Sequence, residues 1–204
     1  MKYKAHDYQQ YATDFIIRHP VSCLILDMGL GKTVITLTAL WLLLFDYFEV
    51  RRILVIAPKR VAETTWPVEI KKWEHLYGMT FAVAMGTAEQ RKEALLSGAD
   101  VTIIGRDNVS WMTKNIFFDF DMVIIDELSS FKSSKSQRFK ALKKYITLSK
   151  RVVGLTGTPA PNGLIDLWSQ IYLLDSGERL GRTVSGYRER YFLPDKRNQT
   201  TIFS

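Results

Sequence analysis

Six short apolar runs, at residues 22–26, 52–57, 80–84, 101–104, 122–125 and 151–155, punctuate this chain. Several are β-branched and apolar at every position, the pattern of strands buried on both faces of a parallel sheet. Between them lie stretches of helical hydrophobic period, at residues 32–48, 63–77, 88–97, 107–116 and 137–147, with another at 164–174. This alternation predicts an α/β domain, a mostly parallel sheet with helices on both faces. Thr87-Ala88-Glu89-Gln90 has the form of a capping box, Gly98 fits the far end of that helix, and Pro67 suits an early helical position. From about residue 175 the pattern weakens. Residues 1–175 therefore read as the domain, and residues 176–204, with Pro194 and mixed charge, as an extension or the start of a linker.

The chain has 204 residues, 47% of them hydrophobic and 24% charged, which suits one soluble globular domain with a full core. The single cysteine, Cys23, lies in a predicted buried strand, so no intramolecular disulfide can form and a reducing compartment is expected. The N-terminus lacks the apolar stretch of a signal peptide, and the longest apolar run, residues 39–45, is far too short for a bilayer. A cytoplasmic protein with no membrane partner is expected. The net charge of +7 is uneven: residues 132–151 hold eight basic side chains and no acidic one. Such a stripe suits a polyanion, or equally a solvated helix face.

The first strand runs directly into Asp27-Met28-Gly29-Leu30-Gly31-Lys32-Thr33, and a helical pattern follows. Strand, glycine turn, Gly-Lys-Thr and helix is how proteins hold a nucleoside triphosphate. The glycines let backbone N–H groups point at phosphate oxygens, and the helix N-terminus adds partial positive charge. Lys32 can reach the β- and γ-phosphates and the Thr33 hydroxyl can ligate Mg²⁺. Where the usual phosphate-loop pattern has its first glycine, this chain has Leu26.

Ligands of open parallel sheets bind at the carboxyl ends of the strands. Val123-Ile124-Ile125-Asp126-Glu127 ends a strand in two carboxylates on that edge. Asp126 is suited to hold Mg²⁺ and Glu127 to orient and deprotonate water, a pairing that favours hydrolysis. Alone, such a pair is commonly a helix cap with an acidic first turn. Gly154-Leu155-Thr156-Gly157-Thr158-Pro159 follows the sixth strand. It is a turn rich in breakers, or a loop whose Thr156 and Thr158 hydroxyls touch the carboxylate loop and sense the γ-phosphate.

In their order, residues 27–33, 126–129 and 155–163 resemble motifs I, II and III of superfamily-two helicases. The first is similar in detail to the Swi/Snf-like branch of DNA translocases, which has Asp-Glu-Met-Gly-Leu-Gly-Lys-Thr there and likewise no glycine at the position of Leu26. Asp7-Tyr8-Gln9 is similar to the family's Q motif, residues 57–66 to motif Ia, and Ile103-Ile104-Gly105-Arg106 to a further nucleic-acid motif. The resemblance covers residues 5–175. It departs at Ser129, where the family usually has His, and motifs IV to VI are absent.

The resemblance implies a RecA-like, ATP-binding first lobe, with ATP and Mg²⁺ held by Met28, Gly29, Leu30, Gly31, Lys32, Thr33 and Asp126. It implies that Gln9 reads the adenine, that Lys32, Asp126 and Glu127 are catalytic, and that Ser129 and Thr156 couple the carboxylate loop to motif III. Duplex DNA is the implied partner, met at its phosphates by Lys59, Arg60, Arg106 and Thr158. A second RecA-like lobe, expected C-terminal to this chain, would supply the arginine fingers. The short loops suit the compact versions that bacteriophages carry, which places the protein in a host cytoplasm. A stand-alone ATP-binding docking module without motor activity is the alternative reading. A small-molecule kinase fits less well, given Thr156-Gly157-Thr158-Pro159 and Gln9.

Overall fold

The computed structural model describes residues 1–194 and 201–203. In chain order its main elements are α1 (Asp7–Arg18), β1 (Val21–Ile25), α2 (Lys32–Trp41), β2 (Ile53–Ala57), α3 (Trp66–Lys72), β3 (Phe81–Ala84) and α4 (Ala88–Leu96). They continue as β4 (Val101–Gly105), α5 (Val109–Asn115), β5 (Met122–Asp126), α6 (Gln137–Tyr145), β6 (Arg151–Thr156), α7 (Leu167–Asp175) and α8 (Val184–Tyr191). Strands β1 to β6 form one sheet in the order β1-β6-β5-β2-β4-β3, and every pairing is parallel. The six expected strands are all present, each within two residues of its predicted ends.

The period of two in the strands divides the core in half. Ile53, Val55, Ile103, Ile124 and Val153 face one layer, where Ile16 of α1, Leu37 and Leu40 of α2 and Trp66 and Ile70 of α3 cover them. Leu54, Ile56, Ile104, Val123 and Ile125 face the other, under Leu95 of α4, Met112 of α5, Leu142 of α6 and Leu173 of α7. Central strand β2 is buried at every position and apolar throughout, as are residues 122–125 of β5, because both faces of the sheet are covered there.

Helix α1 has no counterpart among the predicted helices. Its buried face is Gln9, Ala12, Thr13 and Ile16, helical in spacing but half polar, so hydrophobic period alone does not reveal it. The predicted helix at 32–48 contains a π-helical turn at Leu42–Asp46, and a second such turn, Val61–Thr65, overlaps the start of the one predicted at 63–77. The capping box at Thr87 forms as expected, with Gln90 N–H donating to Thr87 Oγ1 at 3.3 Å and Thr87 N–H to Gln90 Oε1 at 2.9 Å. Pro67 sits in the first turn of α3. Cys23 lies in β1, where burial pushes its thiol up to about 11. Past residue 175, α8 packs on the second core layer: Tyr187 is buried and its hydroxyl donates to Leu164 O at 2.8 Å. The rest of the expected extension, residues 195–200 and 204, lies outside the described residues.

Among the described residues, no helix is long and apolar enough to cross a membrane.

Candidate active site

The turn after β1 is built on two glycines with left-handed backbones, Gly29 at φ +84° and Gly31 at φ +79°. Gly31 is also closely packed: a Cβ there would stand 2.7 Å from Gln9 Nε2 and 3.3 Å from Val34 Cγ1. Gln9 reaches in from α1. Its Nε2 donates to Leu30 O at 3.4 Å, while its Oε1 accepts the His6 N–H at 3.0 Å and the Tyr3 hydroxyl at 3.3 Å. The Tyr8 hydroxyl donates to the same Leu30 carbonyl at 3.2 Å. In this structure, then, Gln9 braces the turn, a role the sequence reading did not give it. Met28 and Leu30 point outward, 90% and 38% exposed.

Lys32, the first residue of α2, folds back over the turn. Its Nζ donates to Leu26 O at 2.7 Å and to Asp27 O at 3.1 Å. Gly157, beyond β6, comes in beside it, since a Cβ on Gly157 would stand 3.9 Å from Lys32 Nζ. An open cavity of about 860 Å³ lies above, lined by Gln9, Gly29, Gly31, Lys32, Thr33 and Glu127 among others. Glu127 of the second motif region thus lines the same cavity as the glycine turn.

Asp126 ends β5, two strands from the turn. Its Oδ2 accepts the Trp66 indole N–H at 2.9 Å and its Oδ1 accepts the Glu127 backbone N–H at 2.9 Å. Desolvation holds this carboxyl above the ordinary carboxylate range; the Glu127 charge adds to the rise, while the two hydrogen bonds and Lys32 oppose it. Glu127 takes a left-handed backbone, φ +55°, uncommon for a residue with a side chain. The Ser129 hydroxyl donates to Glu127 Oε1. Ser129 therefore holds the second carboxylate directly. Thr156 is buried in β6, and its Oγ1 accepts the Thr158 N–H at 3.2 Å, a bond within its own loop.

The residues expected to meet nucleic acid also follow strand ends. Lys59 and Arg60 come after β2 and are exposed, Arg106 comes after β4 and is half-buried, and Thr158 comes after β6 and is exposed. Because β6, β5, β2 and β4 are consecutive neighbours, these positions fall along one sheet edge with Asp126 in their midst.

The basic stripe at 132–151 does not act as a unit. Arg151 is buried at the opposite end of β6, where its guanidinium binds Glu49 at 2.6 Å and the carbonyls of Ile16 and Ile17 at 2.7 and 2.5 Å. Lys150 pairs with Asp121 at 2.8 Å and Arg138 with Asp107 at 2.9 Å. Lys143 stands 4.2 Å over the Tyr172 ring. Lys140 and Lys144 line a groove with Lys114 between α5 and α6.

Trp66 is the functional candidate the sequence reading missed. A fully buried tryptophan needs a partner for its N–H, which was the available signal, but nothing in the sequence names Asp126 as that partner.

A model of the SNF2-related domain matches residues 8–184. The chain belongs to the SNF2-related family. It is 43% identical over 173 residues to the putative protein p41 of Acyrthosiphon pisum secondary endosymbiont phage 1, covering 81% of this chain and 38% of the relative. It is 32% identical over 161 residues to helicase SWR1 of Cryptococcus neoformans, covering 74% of this chain and 12% of that protein. Among solved structures, the Sulfolobus solfataricus SWI2/SNF2 ATPase core in complex with dsDNA superposes with a TM-score of 0.81 at 28% identity, over 94% of this chain and 39% of that one. The SNF2-related chain thus spans well under half the length of these relatives. Its sheet is the RecA-like α/β fold of the Swi/Snf-like ATPase core, and the part it matches is the first lobe.

Proposed function

We propose that this chain is the ATP-binding lobe of a DNA-dependent ATPase that couples hydrolysis to movement on duplex DNA. The observation that carries the reading is the convergence of Lys32, Thr33 and Glu127 on one cavity, with Asp126 beside it and Gly157 against Lys32. In this reading the backbone N–H groups of residues 28–33 cradle the phosphates, and Lys32 exchanges its two carbonyl bonds for phosphate oxygens. Gln9 reads the adenine from its place over the turn. Glu127, held by Ser129, orients and deprotonates the attacking water, and Thr156 would meet the carboxylate loop once nucleotide is bound.

The donor set fits Mg²⁺, a hard cation that needs few protein ligands beside water and phosphate oxygens. Thr33 and Asp126 would hold it, and bound Mg²⁺ neutralises charge on the β- and γ-phosphates. Among the described residues no group of three or more His, Cys, Asp or Glu is placed to hold a metal alone, which agrees with a site shared with substrate.

DNA phosphates would meet Lys59, Arg60, Arg106 and Thr158, giving affinity without sequence reading. Residues 1–175, with α8 packed against them, form the lobe, and a second RecA-like lobe would supply arginine fingers, in a cytoplasmic enzyme. Loss of such a finger costs on the order of 10³ to 10⁵ in turnover in comparable sites. The test is calorimetric titration of ATP and ADP into this chain and its Lys32→Ala variant, with hydrolysis measured with and without duplex DNA. Weak Lys32-dependent binding with little DNA-stimulated turnover is expected. Brisk DNA-stimulated turnover by this chain alone would remove the need for a second lobe, and absence of nucleotide binding would remove the reading altogether.

A further inference from the structure

Residues 59–72 form a continuous helical segment with an irregularity in its first half. Lys59 and Arg60 at its start are exposed, and Trp66 is fully buried in the core layer that holds Ala57, Ala62 and Ile70. Between them lies the π-helical turn Val61–Thr65, closed by the Trp66 N–H donating to Val61 O. One residue added to a turn rotates everything after it by about 100° relative to what came before. Pro67 follows directly and brings no N–H that the widened turn would have to place. The turn therefore allows one short segment to present its first side chains to solvent and to aim the next large one at the sheet edge.

What Trp66 is aimed at is Asp126 Oδ2, 2.9 Å from its indole nitrogen. The other oxygen of that carboxylate is fixed by the Glu127 N–H. A carboxylate with one donor on each oxygen cannot rotate without losing one of them, and each oxygen retains a lone pair facing away from its donor. The other charged groups facing it are Glu127 and Lys32.

We propose that Trp66 is a positioning residue of the nucleotide site: its indole N–H, delivered by the π-helical turn, fixes the Asp126 carboxylate in the orientation that serves Mg²⁺. This rests on the reading of Asp126 given under the proposed function. Trp66 touches neither substrate nor metal and acts only through the carboxylate. Partners of this kind, one step behind a metal ligand, typically change metal affinity roughly 10- to 100-fold when removed.

The test is Trp66→Phe in the 204-residue chain, which keeps an aromatic ring in the core and removes the N–H. Mg²⁺ is titrated at fixed ADP by calorimetry, and ADP affinity is measured separately in EDTA. The Mg²⁺ concentration for half effect is expected to rise roughly 10- to 100-fold, with affinity in EDTA unchanged. Ile70→Val, a neighbouring core change in α3, should lower the melting temperature and leave the Mg²⁺ readout where it was. In an Asp126→Asn background, Trp66→Phe should add nothing to the Mg²⁺ readout. A measurement on the unmutated chain guards against a poorly folded variant: the Trp66 indole ¹⁵N–¹H signal should shift with ADP and Mg²⁺ and stay in place with ADP in EDTA. Wild-type-like Mg²⁺ dependence in Trp66→Phe, or an indole signal indifferent to Mg²⁺, overturns the inference alone. A wild-type chain that binds ADP in neither condition overturns the proposed function and the inference together.

Discussion

Alanine at Gly29 and at Gly31 separates backbone strain from contact. Both glycines have nearly the same left-handed φ. A Cβ on Gly29 meets nothing within 4 Å, so Gly29→Ala carries the left-handed penalty alone, about 1–2 kcal/mol. Alanine recovers ~0.4–1 kcal/mol of that by restricting the unfolded chain, leaving a net loss of about 1 kcal/mol. At Gly31 the same term applies, but the Cβ would sit 2.7 Å from Gln9 Nε2. Gln9 has to leave, and its bonds to Leu30 O, the His6 N–H and the Tyr3 hydroxyl go with it. At about 0.5–1.5 kcal/mol each, with the two longer bonds at the low end, this adds about 2 kcal/mol. Gly31→Ala is therefore expected to cost about 3 kcal/mol, roughly 30-fold more in the folding equilibrium than Gly29→Ala. Urea unfolding of the two variants measures it. In a Gln9→Ala background the Gly31→Ala cost should fall by about 2 kcal/mol, close to that of Gly29→Ala apart from the 3.3 Å approach to Val34 that remains. Equal costs at the two glycines, or a Gly31→Ala cost indifferent to Gln9, would refute the packing account of the turn.

Arg151→Met removes a buried guanidinium from Glu49 and two α1 carbonyls; it should lower unfolding free energy by about 2–4 kcal/mol, with the salt dependence of DNA affinity unchanged. Lys143→Ala loses its place over Tyr172 and should cost about 0.5–1 kcal/mol in urea unfolding, again without altering that salt slope. Asp121 is partly desolvated, which alone would raise its pKa, but the bond from Lys150 and the Arg51 and Arg52 backbone N–H groups hold it below the ordinary value. A depressed carboxylate stabilises the fold above its unfolded pKa of about 3.9, and that stability is lost as pH falls through the lower folded value. Asp121→Asn should therefore weaken the protein at neutral pH and flatten the acid limb of its stability profile, read by thermal melts from pH 7 to 2.

The six strands were legible because burial on both faces leaves the central ones, β2 and most of β5, apolar throughout and the others largely so. The turn at 27–33 and the carboxylates at 126–127 were legible because each is a local arrangement of backbone and side chain at a strand end. Helix α1 was not, since it buries Gln9 and Thr13 where a hydrophobic period expects carbon. The π-helical turn before Trp66 breaks the very period used to find helices, and the Trp66–Asp126 bond joins residues 60 apart in sequence. The charge run at 132–151 stayed open between two readings for a simpler reason. Counting charges says nothing of direction, and β6 sends Arg151 into the protein while α6 lays Lys140 and Lys144 on its surface.

The sheet order also sets a dimension. Strand β6 lies between β1, which leads into the turn, and β5, which ends in Asp126. Hydrogen-bonded neighbours lie about 4.7–4.9 Å apart, so the two halves of the site stand about 10 Å apart at the backbone. That span is kept by rows of main-chain hydrogen bonds that no side-chain substitution short of proline removes. The gap acts as a fixed ruler: mutation can reshape what projects into it, but only an altered strand order would change its width.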